Sequence, residues 1–439
     1  MDVEKINYQL CRYRIAEAAI IFPDGYEYKL NGELDLPYLV LKKDFENEQY
    51  PFFEVNVTLS IKMYRKMRAS NDNLKFRLNM RYALFDKDTE FINATNIEEK
   101  PFISKTFFIF MENMTAYNQD SVYKEIEDRT YFGKYEDDEM DLNHSANIRF
   151  SLYDPDAITQ PKKLHKEVLH QVTITDVMTY ILKERVKFTK KLMTPSSNGK
   201  MYDQFILPPE QVDYQLDRIA NEYHLHDNGS ILFFDFDRLY ITEKVPQCTA
   251  WEPNEVKKVH IVSIPVTKNM VYQSGAYYDG DSNEIYLTTK TQNIESSSIS
   301  NEIRSGSGIL VIDKRTGTAQ TYVIDGDKIK AAPNFKGKDG EPIKYDRTIV
   351  LNTGEDTITA LKERLNERSM VWSVFLDDTM VDALRPNREF NFIFTDPNQT
   401  KYNGSYRLIG FDSRFEMVTG DNKWRGVTTV AYFVGVAKE

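Results

Sequence analysis

Several places in this sequence bring together residue types capable of chemistry, and each falls short of a working set. His224 and His226 flank Leu225. Such a pair ligates zinc when a strand carries both rings to one side, but at a helix end the rings diverge, and no third ligand follows at motif spacing. Asp235 and Asp237 invite comparison with the carboxylate pair of glycoside hydrolysis. Between two apolar runs they read instead as turn residues bonded to nearby backbone. Asp279-Gly280-Asp281-Ser282-Asn283 opens like a calcium loop, yet Glu284 stands where an EF-hand requires glycine and Lys290 where it requires the bidentate glutamate. The acidic run at residues 135–141 lacks a turn-forming glycine and reads as a solvated loop.

Nucleotide and nucleophile signatures fail in the same way. Gly306 and Gly308 are followed by neither a third glycine nor a helix, which excludes the dinucleotide and phosphate-loop fingerprints. No Gly-x-Ser-x-Gly elbow exists, and Cys11 and Cys248 stand far apart, outside any metal or nucleophile spacing. No catalytic, cofactor-binding or metal-ligating residue is therefore assigned, no cofactor is expected, and the chain is read as a non-enzyme.

The elements that would position such residues are mostly strands. Phe53, Val55, Val57, Leu59 and Ile61 alternate with polar residues, as do Leu74, Phe76, Leu78, Met80 and Tyr82. The polar face of such a sheet meets either solvent or a wet lumen. Between these strands residues 62–73 make a loop or one short helix. Residues 102–110 and 148–152 are further strands, with the polar stretch 112–147 between them and a linker from Asp154 to Lys163. Beyond Pro253 strands are expected at 259–264, 284–289, 370–376, 390–394, 406–411, 415–418 and 427–436. A hairpin is expected over 308–312 and 319–324, and a short helix with Ile358, Leu361 and Leu365 on one face. Residues 291–307 and 332–345 read as polar connectors.

The middle of the chain has the clearest order. Thr173 and Thr175 compete as N-caps for a helix with Asp176 in its first turn and Val177, Met178, Ile181, Leu182 and Val186 on one face. A polar loop at residues 190–209 follows. A second helix is expected to open after Pro208 and Pro209, with Val212, Leu216, Ile219, Ala220 and Tyr223 as its stripe, ended by Asp227, Asn228 and Gly229. Residues 231–234 and 239–241 then make a buried hairpin.

This α-α-β-hairpin order resembles the central hub proteins of phage tails and related contractile injection systems, the late-control D type. Thr175 to Leu182, Leu216, Ile219, Ala220, Tyr223 and Leu225, then Gly229 to Phe234 carry the resemblance. It implies a β-rich α+β, multi-domain chain: two tail-tube-like β-barrel or sandwich domains, at 1–165 and 251–439, flanking a small α/β module at 166–250.

The same resemblance implies a virion role, as baseplate hub connecting the tail tube to the spike or tail-tip protein and lining the channel for DNA. Expected partners are two further copies in a homotrimer, the tail tube protein, the spike or tail-tip protein, other baseplate proteins and the tape measure protein. Assembly in the host cytoplasm is expected. Alternatives are another tail or baseplate structural or receptor-binding protein, or a cell-wall hydrolase of the tail.

Bulk properties fit this reading. The 439 residues suggest about three domains, and the net charge of -11 argues against a basic face that grips nucleic acid. Two distant cysteines suit a reducing compartment. Neither a signal peptide nor an apolar run of about 18 residues is legible, so no membrane insertion is expected.

Overall fold

The computed structural model describes residues 3–46, 48–70, 73–86, 97–110, 145–159, 164–186, 190–193, 196, 198–221, 223, 225–226, 230–236, 238–243, 255–256, 258–264, 274–289, 291–296, 308–313, 318–325, 328–331, 345–351, 370–418 and 421–435. The chain begins with β1 (Leu10–Ile21), β2 (Glu27–Leu30), β3 (Tyr38–Asp44), β4 (Phe52–Ser60), α1 (Ile61–Ser70), β5 (Lys75–Phe85), β6 (Lys100–Phe110) and β7 (Ser145–Tyr153). The middle holds α2 (Pro155–Thr159), β8 (Leu164–Thr173), α3 (Ile174–Glu184), β9 (Lys190–Met193), β10 (Met201–Gln211), α4 (Val212–Asn221), β11 (Ser230–Asp235) and β12 (Arg238–Glu243). Next come β13 (Lys258–Ser263), β14 (Ala276–Asp279), β15 (Glu284–Thr289), β16 (Thr291–Ser296), β17 (Gly308–Asp313), β18 (Thr318–Asp325), β19 (Lys328–Ala331) and β20 (Tyr345–Leu351). The last are β21 (Met370–Asp377), β22 (Glu389–Phe394), β23 (Gly404–Val418) and β24 (Asp421–Gly435).

Alternation in sequence becomes alternation in space. Along β4, Phe53, Val55, Val57 and Leu59 are buried while Glu54, Asn56 and Thr58 face outward, and β5 does the same with Phe76, Leu78 and Met80. Such strands need a closed partner set, and they find one. The order β23-β3-β4-β7-β6-β5-β1-β24, with β24 paired back to β23, is an eight-stranded antiparallel barrel without free edges.

The β23–β24 hairpin ties this barrel to the remaining strands. Each of its strands has 15 residues, about 50 Å at roughly 3.4 Å per residue, long enough to serve two neighbours in succession. Near its turn β23 pairs with β3; at its base Tyr406 pairs with Phe390 of β22, and Val434 of β24 pairs with Val371 of β21. β22 leads through parallel pairings to β13 and β15, while β21 pairs with β16. Among the described residues no ladder joins β14 or β15 to β16, so these strands extend the barrel's sheet without closing a second ring.

One extra residue in β23 is absorbed by a bulge. The buried positions change phase from Tyr406 and Leu408 to Phe411, Ser413 and Phe415, and the register shift lies between Leu408 and Gly410. Both sets thereby face the same core. At the bulge a Cβ on Gly410 would lie 2.7 Å from the Lys43 carbonyl oxygen, so only glycine allows β3 this close.

The α/β module has its own core. Thr173 caps α3 in a capping box with Asp176, and Val177, Met178, Ile181 and Leu182 are buried, with Val186 just past the helix. They pack with Val212, Leu216, Ile219 and Ala220 of α4 and with one face of the sheet β11-β12-β9. No helix among the described residues is long and apolar enough to cross a membrane.

Several expectations change. The stretch 190–209 is not a loop: it contains β9, parallel to β12, and most of β10, antiparallel to β8. Pro208 and Pro209 lie inside that strand, at a register shift between Leu207 and Glu210 where a missing N–H is tolerated, and the helix opens after them at Val212. Residues 291–296 are strand, and residues 406–418 form one strand instead of two. Most described strands of the spans 1–165 and 251–439 share one 15-stranded sheet, while β17–β20 form a sheet of their own. The linker at 154–163 contains α2. The acidic run 135–141, the remainder of 112–144, the connectors 297–307 and 332–344, and the helix expected near Ile358 lie outside the described residues.

Candidate functional site

The barrel interior is filled. Tyr13, Phe53, Phe76, Phe107, Phe150 and Phe415 are all fully buried, and Tyr13 meets Phe415 edge-on at 4.9 Å and Phe102 at 5.1 Å. An eight-stranded barrel is just wide enough for such a packing, so it is a rigid block and not a pore. The sheet extension beyond the barrel is packed likewise by Trp372, Val374, Phe392, Tyr406 and Phe433, with Phe392 stacked on Tyr406 at 4.1 Å.

The seam between β1 and β24 is held by groups from outside both strands. Asp378, at φ 51°, accepts the Cys11 N–H at its carbonyl (2.9 Å) and donates its own N–H to Val427 (2.7 Å). Arg12 donates to its carboxylate at 2.6 Å. Burial raises the Asp378 pKa despite the opposing Arg12 charge, and burial pushes the Cys11 thiol to about 12. On the inner face Arg425, fully buried, donates to the carbonyls of Gly32, Leu36, Pro37 and Phe415, which pins the turn before β3 across the barrel end. Burial alone lowers that guanidinium to about 10.

The module meets the barrel through the tip of its β11–β12 hairpin. Phe236 stacks on Phe53 at 5.5 Å and meets Phe107 edge-on at 5.7 Å, while Phe233 contacts Phe45 at 4.7 Å. Phe234 donates its N–H to the Gln49 carbonyl at 2.8 Å and stacks on Tyr50. Charges surround this plug. Lys43 donates to both oxygens of Asp235, at 2.7 and 2.8 Å, and Lys105 bonds to Asp154 and to the Phe236 carbonyl.

On the other side of the hairpin, Arg385 pairs with Asp382 and, at 3.0 Å, with Glu255, while Arg238 lies 3.7 Å from Asp382. Burial opposes ionisation of Asp382, but Arg385, then Arg238 and Arg388, bring its pKa below the ordinary value. Arg388, almost wholly buried, is lowered to about 10, first by burial and then by the Arg385 charge. A cavity of 180 Å³ opens between the hairpin tip, β3, β6 and residues 381–385.

The sequence-selected residues are dispersed. His226 is buried with Nδ1 2.8 Å from the Ser230 hydroxyl, which itself donates to the Ala220 carbonyl, so the ring ties the end of α4 to β11. Asp235 serves Lys43, and Asp279 accepts from the Asp281 N–H and the Ser282 hydroxyl in a hairpin turn. Cys11 lies in the seam. His224, Asp237, Cys248, Lys290 and Gly306 lie outside the described residues. Among the described residues no group of three His, Cys, Asp or Glu side chains has metal-binding proximity. Tyr13, Arg425 and the arginines at 385 and 388 were not anticipated. Arg425 alone left a signal: it shares strand parity with Val427, Ala431 and Phe433.

These features define a packed β-barrel protein whose polar groups join its parts. The chain belongs to the Bacteriophage PBS1 gene 109 protein family, whose profile matches residues 17–430. No curated protein matches it in sequence. Among solved structures it is similar to a tail protein from Neisseria meningitidis MC58, at 11% identity and a TM-score of 0.44, with 96% of each chain covered. The 43 kDa tail protein of prophage MuSo2 from Shewanella oneidensis is similar at 11% identity and a TM-score of 0.43, again over 96% of each. An E. coli component of the type VI secretion system is similar at 10% identity and a TM-score of 0.37, over 97% of this chain and 77% of that one.

Proposed function

We propose that this chain is a structural, non-enzymatic subunit of a phage tail, the central baseplate hub that joins the tail tube to the spike or tail-tip protein. One observation carries the reading: a chain of a phage family builds a closed eight-stranded barrel and continues the same sheet beyond it through one long hairpin. Three copies, each offering the barrel and its sheet extension, then place six β units around an axis, which matches the six-fold repeat expected of a tail tube with only three subunits. In this arrangement the spans 1–165 and 251–439 contribute the tube-like parts and the module at 166–250 braces them.

The barrel and its sheet extension are filled with side chains, so the DNA passage lies between copies and not inside one. The net charge of -11 suits a wall that lets a polyanion slide past. One rim receives the tube protein and tape measure, the other the spike and neighbouring baseplate proteins. The protein is assembled in the host cytoplasm and retained in the virion. Gold-labelled antibodies against the purified chain test the placement. Label confined to the far end of the tail supports the hub, whereas label on heads or its absence from intact and detergent-opened virions contradicts it.

A further inference from the structure

The β8–β10 ribbon is a two-stranded sheet of its own, paired with no other strand among the described residues. Two strands alone are marginal in water, so the ribbon depends on the helices it covers. Phe205 and Leu207 are buried against α3 and α4 in the module's core. Gln215 of α4, fully buried, donates to the carbonyls of His165 on β8 and Pro208 on β10, both at 2.8 Å. One amide thus clamps both strands near the point where Glu210 opposes His165. The His165 ring lies in the same junction. It is 5% exposed, its centroid is 6.1 Å from that of Tyr180 on α3, and its Nε2 has no hydrogen-bond partner among the described residues.

The charged groups around this ring do not prepare it for a proton. Glu167, on the same strand, accepts from the Tyr180 hydroxyl at 3.3 Å, Glu210 pairs with Arg218 of α4 at 2.9 Å, and Arg185 just past α3 adds positive charge. A neutral imidazole is tolerated there, whereas an imidazolium would bury a charge with an unmet N–H. We propose that His165 is an acid-operated latch: neutral, it keeps the ribbon seated on α3 and α4, and protonated, it releases the ribbon and uncovers Phe205 and Leu207. Burial, then Arg185, lower the His165 pKa from its ordinary value, against the pull of Glu167. A lowered folded pKa adds stability that is present above the unfolded pKa, about 6.5 for histidine, and is lost as pH falls through the folded one. The latch belongs to the module alone and does not depend on the hub assignment.

The test is hydrogen exchange of the full chain at about pH 7.5, 6.5 and 5.5, across the histidine range, corrected for intrinsic exchange rates. Opening of residues 164–173 and 201–211 should rise as pH falls, by up to about tenfold per pH unit because one proton is taken up, while β4 and β5 stay protected. His165→Gln removes the titrating ring and should make ribbon opening independent of pH. His226→Gln, at another buried histidine of the module, should keep the response. Where His165→Gln fails to fold, the ring titration of the unmodified chain by NMR decides, with a His165 midpoint expected below about 6.5. A ribbon whose opening ignores pH, a response that survives in folded His165→Gln, or a His165 midpoint at or above the ordinary value would overturn the proposal.

Discussion

The hydroxyl of Tyr13 accepts the N–H of Val381 at 2.8 Å and donates to the carbonyl of Thr379 at 3.2 Å, joining β1 to a segment nearly the whole chain away. Tyr13 is fully buried, and burial holds its phenol well above the ordinary pKa, so it works as a neutral hydrogen-bonding group. Tyr13→Phe keeps the ring and strands both backbone partners. Its expected cost is about 1–3 kcal/mol, read as a lower urea midpoint at unchanged slope. A midpoint equal to that of the parent would show that water replaces the hydroxyl.

Gly410→Ala probes the bulge. The added Cβ lies 2.7 Å from the Lys43 carbonyl and 3.2 Å from the Asp44 Cα, and both neighbours are backbone of a paired strand. Destabilisation of about 1–3 kcal/mol is expected from the forced shift of β3. A neutral effect in thermal unfolding would mean that β3 yields freely.

How much of this was legible in sequence follows from the range of each interaction. The alternation in β4 and β5 and the Thr173 cap are local, and each was readable from a few neighbouring residues. The closing of β1 against β24 depends on a pairing of Tyr13 with Arg425 and on Asp378, which no local pattern encodes. β10 was hidden because Pro208 and Pro209 argue against a strand, although both lie inside this one. The junction draws on Lys43, Asp235, Glu255 and Arg385, which share no motif because the fold alone brings them together.

The hairpin plug makes a separate prediction. Phe236→Ala removes the stack on Phe53 and the edge contact to Phe107. A loss of about 2–3 kcal/mol is expected, below the roughly 3–5 kcal/mol of a fully buried ring. Hydrogen exchange should rise in residues 230–243 while β4 and β5 stay protected. Uniform loss of protection would place Phe236 in the barrel's own cooperative unit.

Residues 297–369 form an excursion whose ends meet. Ser296 and Met370 are cross-strand partners, and among the described residues the sheet β19-β18-β17-β20 pairs with no other sheet. Replacing 297–369 by Asn-Gly should convert β16 and β21 into a two-residue hairpin and leave a soluble, cooperatively unfolding chain. Loss of folding on this deletion would show that the inserted sheet supports the sheet extension beyond the barrel.

Acid stability has two opposing contributions. Burial raises the Glu54 carboxyl, but hydrogen bonds from Lys42 and Arg149 outweigh it and bring the pKa below the ordinary value. Such a group adds stability that is present above its unfolded pKa and lost as pH falls through the folded one. Asp378 is raised, so its contribution is fully present below the unfolded pKa and is lost as pH rises towards the folded one. Glu54→Gln should therefore lower stability at neutral pH and flatten the loss on acidification, measured by urea midpoints across the carboxylate range. An acid limb as steep as the parent's would assign the dependence to other carboxylates.

The hub reading is tested most directly by the native mass of the purified chain from light scattering, with class averages from negative-stain images of the same sample. Predicted is a species of three times the 51.3 kDa chain mass, seen end-on as a ring of six densities around an open centre. A compact monomer that stays monomeric when mixed with tail tube and spike proteins, and shows no central opening, would contradict it.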